Sequence, residues 1–422
     1  MQSPNEKLSG ACISGDCCGI TLAMEKPRVR GWVEALPVMH NGRQMFYLRD
    51  AEGIVEQSLV VSRDVVFLIS LMNGSRTVMD LQEEYTRAVG TLIHAEQIAE
   101  IVEAMDNHFF LQNERFEAHI MSLKEEYEAA PCRLPFLSGK SYPQKPDELA
   151  AFLDDMFAGA KTPELVGDIK GILAPHIDYQ RGARVYTDVY RYLPLVQREL
   201  IVIFGTCHHL APGLWNISLK DFATPFGTLP VPRELARCIR EHPVLHRHIA
   251  EWPHRQEHSI ELQLPILHYL LAGRSIQILP ILTGSMHEYV AGTKELKADE
   301  LDELAEGLRE VLAAYGQPYL VIAGADLAHI GAQFGDTYSL DQTILDRSRR
   351  KDELMLERVK RVDAGGFFSA VQDEQDGRRI CGLAPIYFQL SLLNGSSATL
   401  AGYDQWTDGA SSVSFAGAIF HD

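Results

Sequence analysis

The amino-acid sequence predicts an α/β fold in which helices flank a mainly parallel central sheet, with a small α+β unit in front of it. The first observation is a series of short continuous apolar runs separated by helical patterns, which is typical of buried parallel strands. The second is an earlier stretch in which strand patterns come first and three helical patterns follow. Two units of different architecture are therefore expected.

Composition narrows the class of protein. The 422 residues, 46% of them hydrophobic, are enough for two or three domains with large cores. A formal net charge of −18 argues against nucleic acid as a partner. No apolar run approaches the roughly 18 residues of a membrane span, and the first residues lack the apolar core of a secretory signal. With its seven cysteines interpreted as reduced thiols, we expect a cytoplasmic protein without membrane contact.

Four segments are predicted along the chain. They are a flexible tail (1–27), a small unit (28–115), a connector (116–145) and a large unit (146–422). The tail carries Cys12, Cys17 and Cys18, which could form part of a metal or redox cluster. Because a closed zinc site needs a fourth ligand, thiols in a solvated tail are the preferred interpretation.

In the small unit, turn residues and capping signals separate the elements. Ser62 can cap one helix, and Thr77 with Asp80 resembles a capping box at the start of the next. The predicted strands are Val33–Pro37, Gln44–Arg49 and Val55–Val60, and the predicted helices are Arg63–Met72, Val78–Val89 and His94–Phe109. Strands followed by three helices suggest a winged-helix-like module.

The same segment resembles PqqD-like domains, the peptide-recognition modules of ribosomal-peptide modification systems. The resemblance is carried by Val66–Val78 (VFLISLMNGSRTV) and by Phe109-Phe110-Leu111. It implies that an exposed strand edge pairs with a peptide. A winged-helix spacer without a ligand is the alternative.

In the large unit, strands and helices alternate, which predicts a largely parallel sheet covered on both faces. Strands are expected near 169–175, 200–205, 275–282 and 318–323, with helices at Glu257–Leu271 and Asp299–Tyr315 and final strands at Ala398–Tyr403 and Ser412–Phe420.

Residues that can bind a metal follow four apolar runs of this unit. They are His176, the pair His208 and His209, the pair Asp326 and His329, and Cys381. Catalytic groups collect beyond the carboxyl ends of parallel strands, so these side chains are expected to form one metal-centred site. A single histidine at a strand end is more often structural, and it is their convergence that favours a site.

Several roles remain open from the residues alone. His258 and Glu261 lie three apart at a helix start, so they could ligate a metal or support its ligands, and the supporting role is preferred. They could also be a simple helix-start charge arrangement. His329 could be a ligand or a general base, and Cys381 a thiolate ligand or an inert buried thiol.

These motifs resemble those of the Memo family, relatives of the class III extradiol dioxygenases. Bacterial and archaeal members are named for the AmmeMemoRadiSam system, alongside a radical SAM protein and an AMMECR1-type protein. The motifs are Ala174-Pro175-His176, Gly205-x-x-His208-His209, Thr224–Leu229 (TPFGTL), Glu257–Glu261 (EHSIE) with Leu264-Pro265, Asp326-x-x-His329-x-Gly331, Cys381-Gly382-x-x-Pro385 and Ser411–Phe415 (SSVSF).

The resemblance implies a class III extradiol dioxygenase-like fold with iron or copper bound by His176, His208 and Cys381. It further implies that Asp326 and His329 lie beside the metal, His329 as the acid/base residue. Two departures from the family pattern add Asp178, a possible carboxylate at the pocket mouth, and Cys207, a second thiol. The residues expected in the second shell or against substrate are His209, His258, Glu261, Asp178 and Cys207.

We therefore expect a metal-dependent redox enzyme acting on an unknown small molecule or peptide. Iron(II) is the first choice of metal, copper the alternative, and zinc less favoured. The radical SAM and AMMECR1-type proteins are possible partners. Because fold does not establish reaction, two rivals stay open: a non-catalytic peptide- or metal-binding adaptor, and a zinc-dependent hydrolase.

Overall fold

The computed structural model describes residues 26–40, 42–164, 167–209, 211–295 and 299–422. The chain forms two compact units, of which the first ends at Glu126 and the second runs from Tyr127 to Asp422. The tail cysteines Cys12, Cys17 and Cys18 lie outside the described residues. No helix in the described ranges is long and apolar enough to cross a membrane.

The first unit contains a three-stranded antiparallel sheet in the order β1-β2-β3, followed by helices. The strands are β1 (Val33–His40), β2 (Arg43–Asp50) and β3 (Leu59–Val61). The helices are α1 (Arg63–Leu71), α2 (Val78–Val89), α3 (Ala95–Asn107) and α4 (Glu114–Ala129), which contains the boundary between the units. The predicted Ser62 cap and the Thr77–Asp80 capping box are both present. The order of elements is as predicted, and the winged-helix assignment stays an interpretation.

The second unit is a mixed α/β structure. Its strands are β4 (Cys132–Arg133), β5 (Ile169–Ala174), β6 (Leu200–Thr206), β7 (Trp215–Ile217), β8 (Asp221–Thr224), β9 (Gly227–Leu229), β10 (Gln277–Thr283), β11 (Tyr319–Gly324), β12 (Asp326–Gly331), β13 (Ser397–Thr407) and β14 (Ser411–His421). Its helices are α5 (Pro146–Met156), α6 (Tyr179–Tyr190), α7 (Arg233–Glu241), α8 (His258–Glu261), α9 (Leu264–Leu270), α10 (His287–Val290), α11 (Asp299–Tyr315), α12 (Gln342–Lys360), α13 (Ala364–Gln372) and α14 (Leu383–Leu392).

Four strands at the centre of the large sheet are parallel, in the order β5-β11-β6-β10. These are the four strands that the apolar runs predict. The other four, β7, β12, β13 and β14, join antiparallel, so the eight-stranded sheet is mixed rather than mainly parallel. Alternate side chains of β6 enter different hydrophobic clusters, Val202 and Phe204 in one, Ile201 and Ile203 in the other. Both faces of the sheet are therefore covered, as expected.

Three local expectations differ from the structure. Asp326 and His329 lie on strand β12, separated from β11 only by Ala325, and not in a tight turn. The expected helix Glu257–Leu271 is two helices, because Pro265 in the first turn of α9 has no N–H with which to continue α8. Cys381 lies just before α14, whose cap is Gly382, and not at a strand end.

The predicted connector also differs from the structure. Cys132–Arg133 is strand β4, which pairs with β8 inside the second unit. Arg133 is fully buried and forms an ion pair with Glu261. The second unit therefore begins well before residue 146, because a charged side chain can be buried this deeply only when it is paired there.

Candidate metal centre

Three histidine side chains converge at the carboxyl edge of the parallel strands. His176 follows β5, His208 follows β6, and His258 is the first residue of α8. One ligand atom from each ring lies within 4.8 Å of the others. Among the described residues, this is the group in which three potential metal ligands are mutually this close. Because His176 is 2% exposed and His208 and His258 are 31% and 36% exposed, the site is open on the side of the latter two.

Two glycines let α8 approach the strand ends. A Cβ atom on Gly205 would lie 2.5 Å from the Ser259 hydroxyl, and one on Gly324 would lie 2.4 Å from the Ser259 carbonyl oxygen. Such distances are below any real contact, so a larger residue would push α8 away. The absence of these two side chains is what brings His258 next to His176 and His208.

In all three rings, Nδ1 already has an oxygen partner. The His176 Nδ1 lies 2.9 Å from the Gly324 carbonyl oxygen. The Nδ1 atoms of His208 and His258 lie 2.9 and 3.1 Å from Oε1 of Glu257. These acceptors assign the ring proton to Nδ1 and leave the Nε2 lone pair for a metal, the usual arrangement of metal-binding histidines.

Glu257 is the carboxylate that orients two of the rings. Its side chain is 1% exposed and also accepts hydrogen bonds from the backbone N–H groups of His208, at 2.8 Å, His258, at 2.8 Å, and Ser259, at 3.1 Å. Burial alone would raise the pKa of Glu257, but the hydrogen bonds and charges of His208 and His258 hold it well below its usual value. Burial alone would likewise lower the pKa of His258, and Glu257 raises it. The sequence argument assigned Glu257 only a helix-start charge.

The Cys381 thiol adjoins one of the three imidazoles, that of His176. Its Sγ lies 3.2 Å from Nε2 of His176 and 3.7 Å from the carbonyl oxygen of Asp326. Metal–ligand bonds of about 2.0–2.3 Å place two ligand atoms of one ion about 3–4 Å apart, so this spacing fits a shared metal. Burial raises the pKa of the Cys381 thiol well above its usual value, and a thiolate there would therefore need a bound cation.

Asp326 and His329 line the same site from β12. Oδ1 of Asp326 accepts a 2.9 Å bond from the His176 backbone N–H, and Oδ2 lies 3.8 Å from its Nε2. Burial raises the pKa of Asp326 to about 7. Burial lowers the pKa of His329 to about 4, and its Nδ1 lies 3.1 Å from the Leu327 carbonyl oxygen. A carboxyl group that titrates near neutrality thus adjoins His176, and His329 on the same strand stays neutral.

The other candidates lie elsewhere. The Glu261 carboxylate is occupied by Arg133 and Tyr142, so it is not available as a ligand. Asp178 caps α6 and pairs with Arg181, which gives it a structural role. The Cys207 thiol donates to the His209 carbonyl oxygen at 3.4 Å, and burial raises the pKa of Cys207 to about 12. The imidazole of His209 is outside the three-ring group.

Asp326 makes the stability of the metal-free protein depend on pH. A carboxyl whose folded pKa is raised binds its proton more tightly in the folded state, so its contribution to stability falls as pH rises from about 4 to about 7. We expect the free energy of unfolding of Asp326→Asn, relative to that of the unsubstituted protein, to increase by on the order of 3 kcal/mol between pH 4 and pH 8. Urea unfolding after chelation of any metal is the measurement.

Asp336→Asn is the control for this experiment. The pKa of Asp336 is lowered to about 2 by its hydrogen bond with Arg379, so its contribution is constant above pH 5. An Asp326→Asn effect that is equal at pH 5 and pH 8 would contradict the raised pKa.

Comparison with known proteins agrees with the motifs. The family model described as "Memo-like protein" matches residues 133–419. A MEMO1 family protein of Aquifex aeolicus is 29% identical over 384 residues, covering 89% of this chain and 96% of that protein. A MEMO1 family protein of Thermus thermophilus is 30% identical over 290 residues, covering 67% and 80%. The Aquifex alignment covers 89% of this chain, which is more than the second unit, Tyr127–Asp422, contains, so the alignment extends into the first unit.

Proposed function

The chain belongs to the Memo-like protein family, and we propose that its second unit is a metal-dependent redox enzyme that uses iron(II) or copper. The observation that carries the proposal is the convergence of three imidazoles whose Nδ1 atoms are held by Glu257 and Gly324, with the Cys381 thiol against His176. This donor set fits a transition metal, because imidazole suits iron, copper and zinc and thiolate favours the softer ions.

His176, His208, His258 and Cys381 would hold the ion, which would supply one-electron chemistry with O₂ as co-substrate. Asp326, whose pKa is about 7, is suited to give or take a proton at the pH of a cell. His329, with its pKa lowered to about 4, is neutral there and can accept a proton. The open side at His208 and His258 is where a substrate would enter.

A zinc-dependent hydrolase is the second candidate. It is favoured by the third imidazole, because catalytic zinc sites commonly have three protein ligands and activate a water molecule. The two candidates differ in the metal that the purified protein carries. An adaptor with the same cleft would catalyse no reaction and would therefore not require a metal for activity.

Metal content separates these candidates. We expect protein purified anaerobically without added metal to contain near-stoichiometric iron or copper. His208→Ala and His258→Ala should lose it, since each removes one Nε2 donor. Elemental analysis is the measurement.

The matched control is His209→Ala, which removes the neighbouring imidazole that lies outside the three-ring group. Zinc alone in the unsubstituted protein would move the assignment to the hydrolase. A metal-free protein that takes up none of Fe(II), Cu(I) and Zn(II) would overturn both enzyme proposals and leave the adaptor.

We propose in addition that the first unit binds a peptide or a partner protein of the radical SAM or AMMECR1 type. Within the described part of that unit, β1 and β3 are the two edges of the sheet. Pro37 removes one backbone donor from β1, so β3, with Val60 exposed, is the better edge for pairing with a peptide.

A chain that lacks residues 1–126 tests the role of the first unit. We expect it to lose binding to a radical SAM protein of the AmmeMemoRadiSam type, as followed by calorimetry, while it retains the metal of the full chain. Retained metal shows that the second unit is folded. Unchanged partner binding would remove the peptide-recognition proposal.

A further inference from the structure

We propose that Arg133 is a positioning residue of the metal centre, which it serves by fixing the backbone of the segment 254–261. This inference rests on the proposed metal site, because that segment carries Glu257 and His258. The hydrogen bonds of the Arg133 guanidinium group go to two backbone carbonyl oxygens and to Glu261, not to the three imidazoles.

The guanidinium group of Arg133 contacts the segment at three points. Its Nε donates to the His254 carbonyl oxygen and its Nη2 to the Glu257 carbonyl oxygen, both at 2.9 Å. Its Nη1 forms the ion pair with Glu261. One rigid group thus spans eight residues of backbone, from His254, four positions before the metal-site His258, to the end of α8.

Glu261 ties the same segment to the chain that follows Arg133. Its carboxylate accepts bonds from the backbone N–H groups of Phe136, at 2.9 Å, and Leu137, at 2.7 Å, and from the Tyr142 hydroxyl at 2.6 Å. Both charges are buried, with side-chain exposures of 0% for Arg133 and 1% for Glu261. These four donors to the Glu261 carboxylate all lie in residues 133–142.

The link from Arg133 to the imidazoles passes through Glu257. The backbone of Glu257 is held by Arg133, and its carboxylate holds the Nδ1 atoms of His208 and His258. A shift of this backbone would move both rings away from His176 together. Outer partners of this kind change metal affinity by about 10- to 100-fold.

A small second sheet explains why Arg133 is itself well placed. Strand β4, which contains Arg133, pairs with β8, and β8 pairs with β9 in the order β4-β8-β9. The hairpin β8–β9 contains the Thr224–Leu229 motif, which no metal-binding role explains. Thr224 in turn lies 2.9 Å from the His268 ring on α9. The motif therefore supports the strand that carries the positioning residue.

Arginine is the residue that this arrangement requires. Its planar fork offers several donors in fixed directions, whereas lysine offers one compact charge on a flexible stem. Arg133→Lys keeps the charge that Glu261 needs, but it cannot reach Glu261 and both carbonyl oxygens at once. This substitution separates positioning from charge balance.

The test compares Arg133→Lys with Arg198→Lys in the full chain. Arg198 is also a buried arginine, paired with Asp168 and bonded to the Ile169 carbonyl oxygen, but it lies at the amino ends of β5 and β6. We expect Arg133→Lys to bind Co(II) about 10- to 100-fold more weakly than the unsubstituted protein, with an altered visible spectrum. Arg198→Lys should bind it normally even at a similar loss of thermal stability. Equal Co(II) affinity and spectra in Arg133→Lys and the unsubstituted protein would overturn the proposal.

Nitrogen NMR of the metal-free protein gives a second readout. In the unsubstituted protein the His208 and His258 rings should carry their protons on Nδ1, and in Arg133→Lys they should show a mixture of tautomers. This readout does not need metal. It therefore tests the positioning role of Arg133 separately from the proposal that the site binds a metal. Identical tautomers in both proteins would also overturn the proposal.

A charge-neutral variant covers the case in which Arg133→Lys does not fold. Arg133→Met combined with Glu261→Gln removes both charges, so neither is left buried and unpaired. We expect this variant to show the same weakened Co(II) binding. If it too fails to fold while Arg198→Lys folds, Arg133 is a stability residue and the positioning proposal is wrong.

Discussion

Glu257→Gln is expected to weaken metal binding by about 100-fold, at the upper end of what outer partners of metal ligands contribute. The Glu257 carboxylate accepts bonds from two imidazole Nδ1 atoms and from three backbone N–H groups. A glutamine side chain has one acceptor oxygen, and its NH₂ group would face donors. Either the rings rotate or their protons move to Nε2, and both changes remove lone pairs from the metal. Competition titration with Co(II) or Fe(II) measures the loss.

Glu251→Gln is the matched control for this prediction. Glu251 is another partly buried glutamate, but its carboxylate accepts from the Ser218 hydroxyl and the Leu219 N–H rather than from an imidazole of the site. It should bind metal as tightly as the unsubstituted protein. If Glu257→Gln does so as well, Glu257 does not set the state of His208 and His258.

Cys381→Ser should lower the affinity for Cu(I) by at least about 100-fold. Metal-binding free energies of about 10–16 kcal/mol shared among four ligands assign about 3 kcal/mol to each, which corresponds to a factor of roughly 100. The loss should be greater for Cu(I) than for Zn(II), because a hydroxyl is a hard ligand and Cu(I) prefers sulfur. Chelator competition under anaerobic conditions gives both affinities.

The neighbouring thiol provides the control for this substitution. Cys207→Ser changes a sulfur that donates to the His209 carbonyl oxygen and has no partner among the three imidazoles. It should leave both affinities unchanged. A loss in Cys381→Ser that is equal for Cu(I) and Zn(II) would weaken the redox assignment, and no loss would exclude Cys381 as a ligand.

Local patterns in the sequence were enough to predict the centre of the sheet. The apolar runs at 169–175 and 200–205 can be interpreted without any knowledge of distant contacts, because each buried strand satisfies the pattern alone. Strand β12 could not be found in this way. It begins one residue after β11, and its Gly, Ala and Asp residues resemble a turn.

The metal site shows the same limit. His176 and His208 follow strands directly, so the topology rule places them together. Glu261 was expected to support the metal ligands, and Glu257 is the residue that does so. This difference depends on contacts that no local spacing reveals. Glu261 is held by Arg133, 128 positions away in the sequence, from a segment whose prolines and polar residues suggested a connector. Burial of a charge is decided by such distant partners, and one sequence does not display them.

The position of β14 has a consequence for how the second unit folds. This strand lies between β5 and β12, and its final residues, 418–421, pair with residues 169–173 of β5. Until residues 411–421 have been added to the sheet, one edge of β5 has no partner, and the residues that pair lie between 245 (Leu173 and Ala418) and 252 (Ile169 and His421) positions apart along the chain. Closing so long a loop slows folding, and an open strand edge can recruit other chains in the meantime. Yield on refolding should therefore depend on protein concentration, with the late insertion of β14 as the step at which aggregation competes.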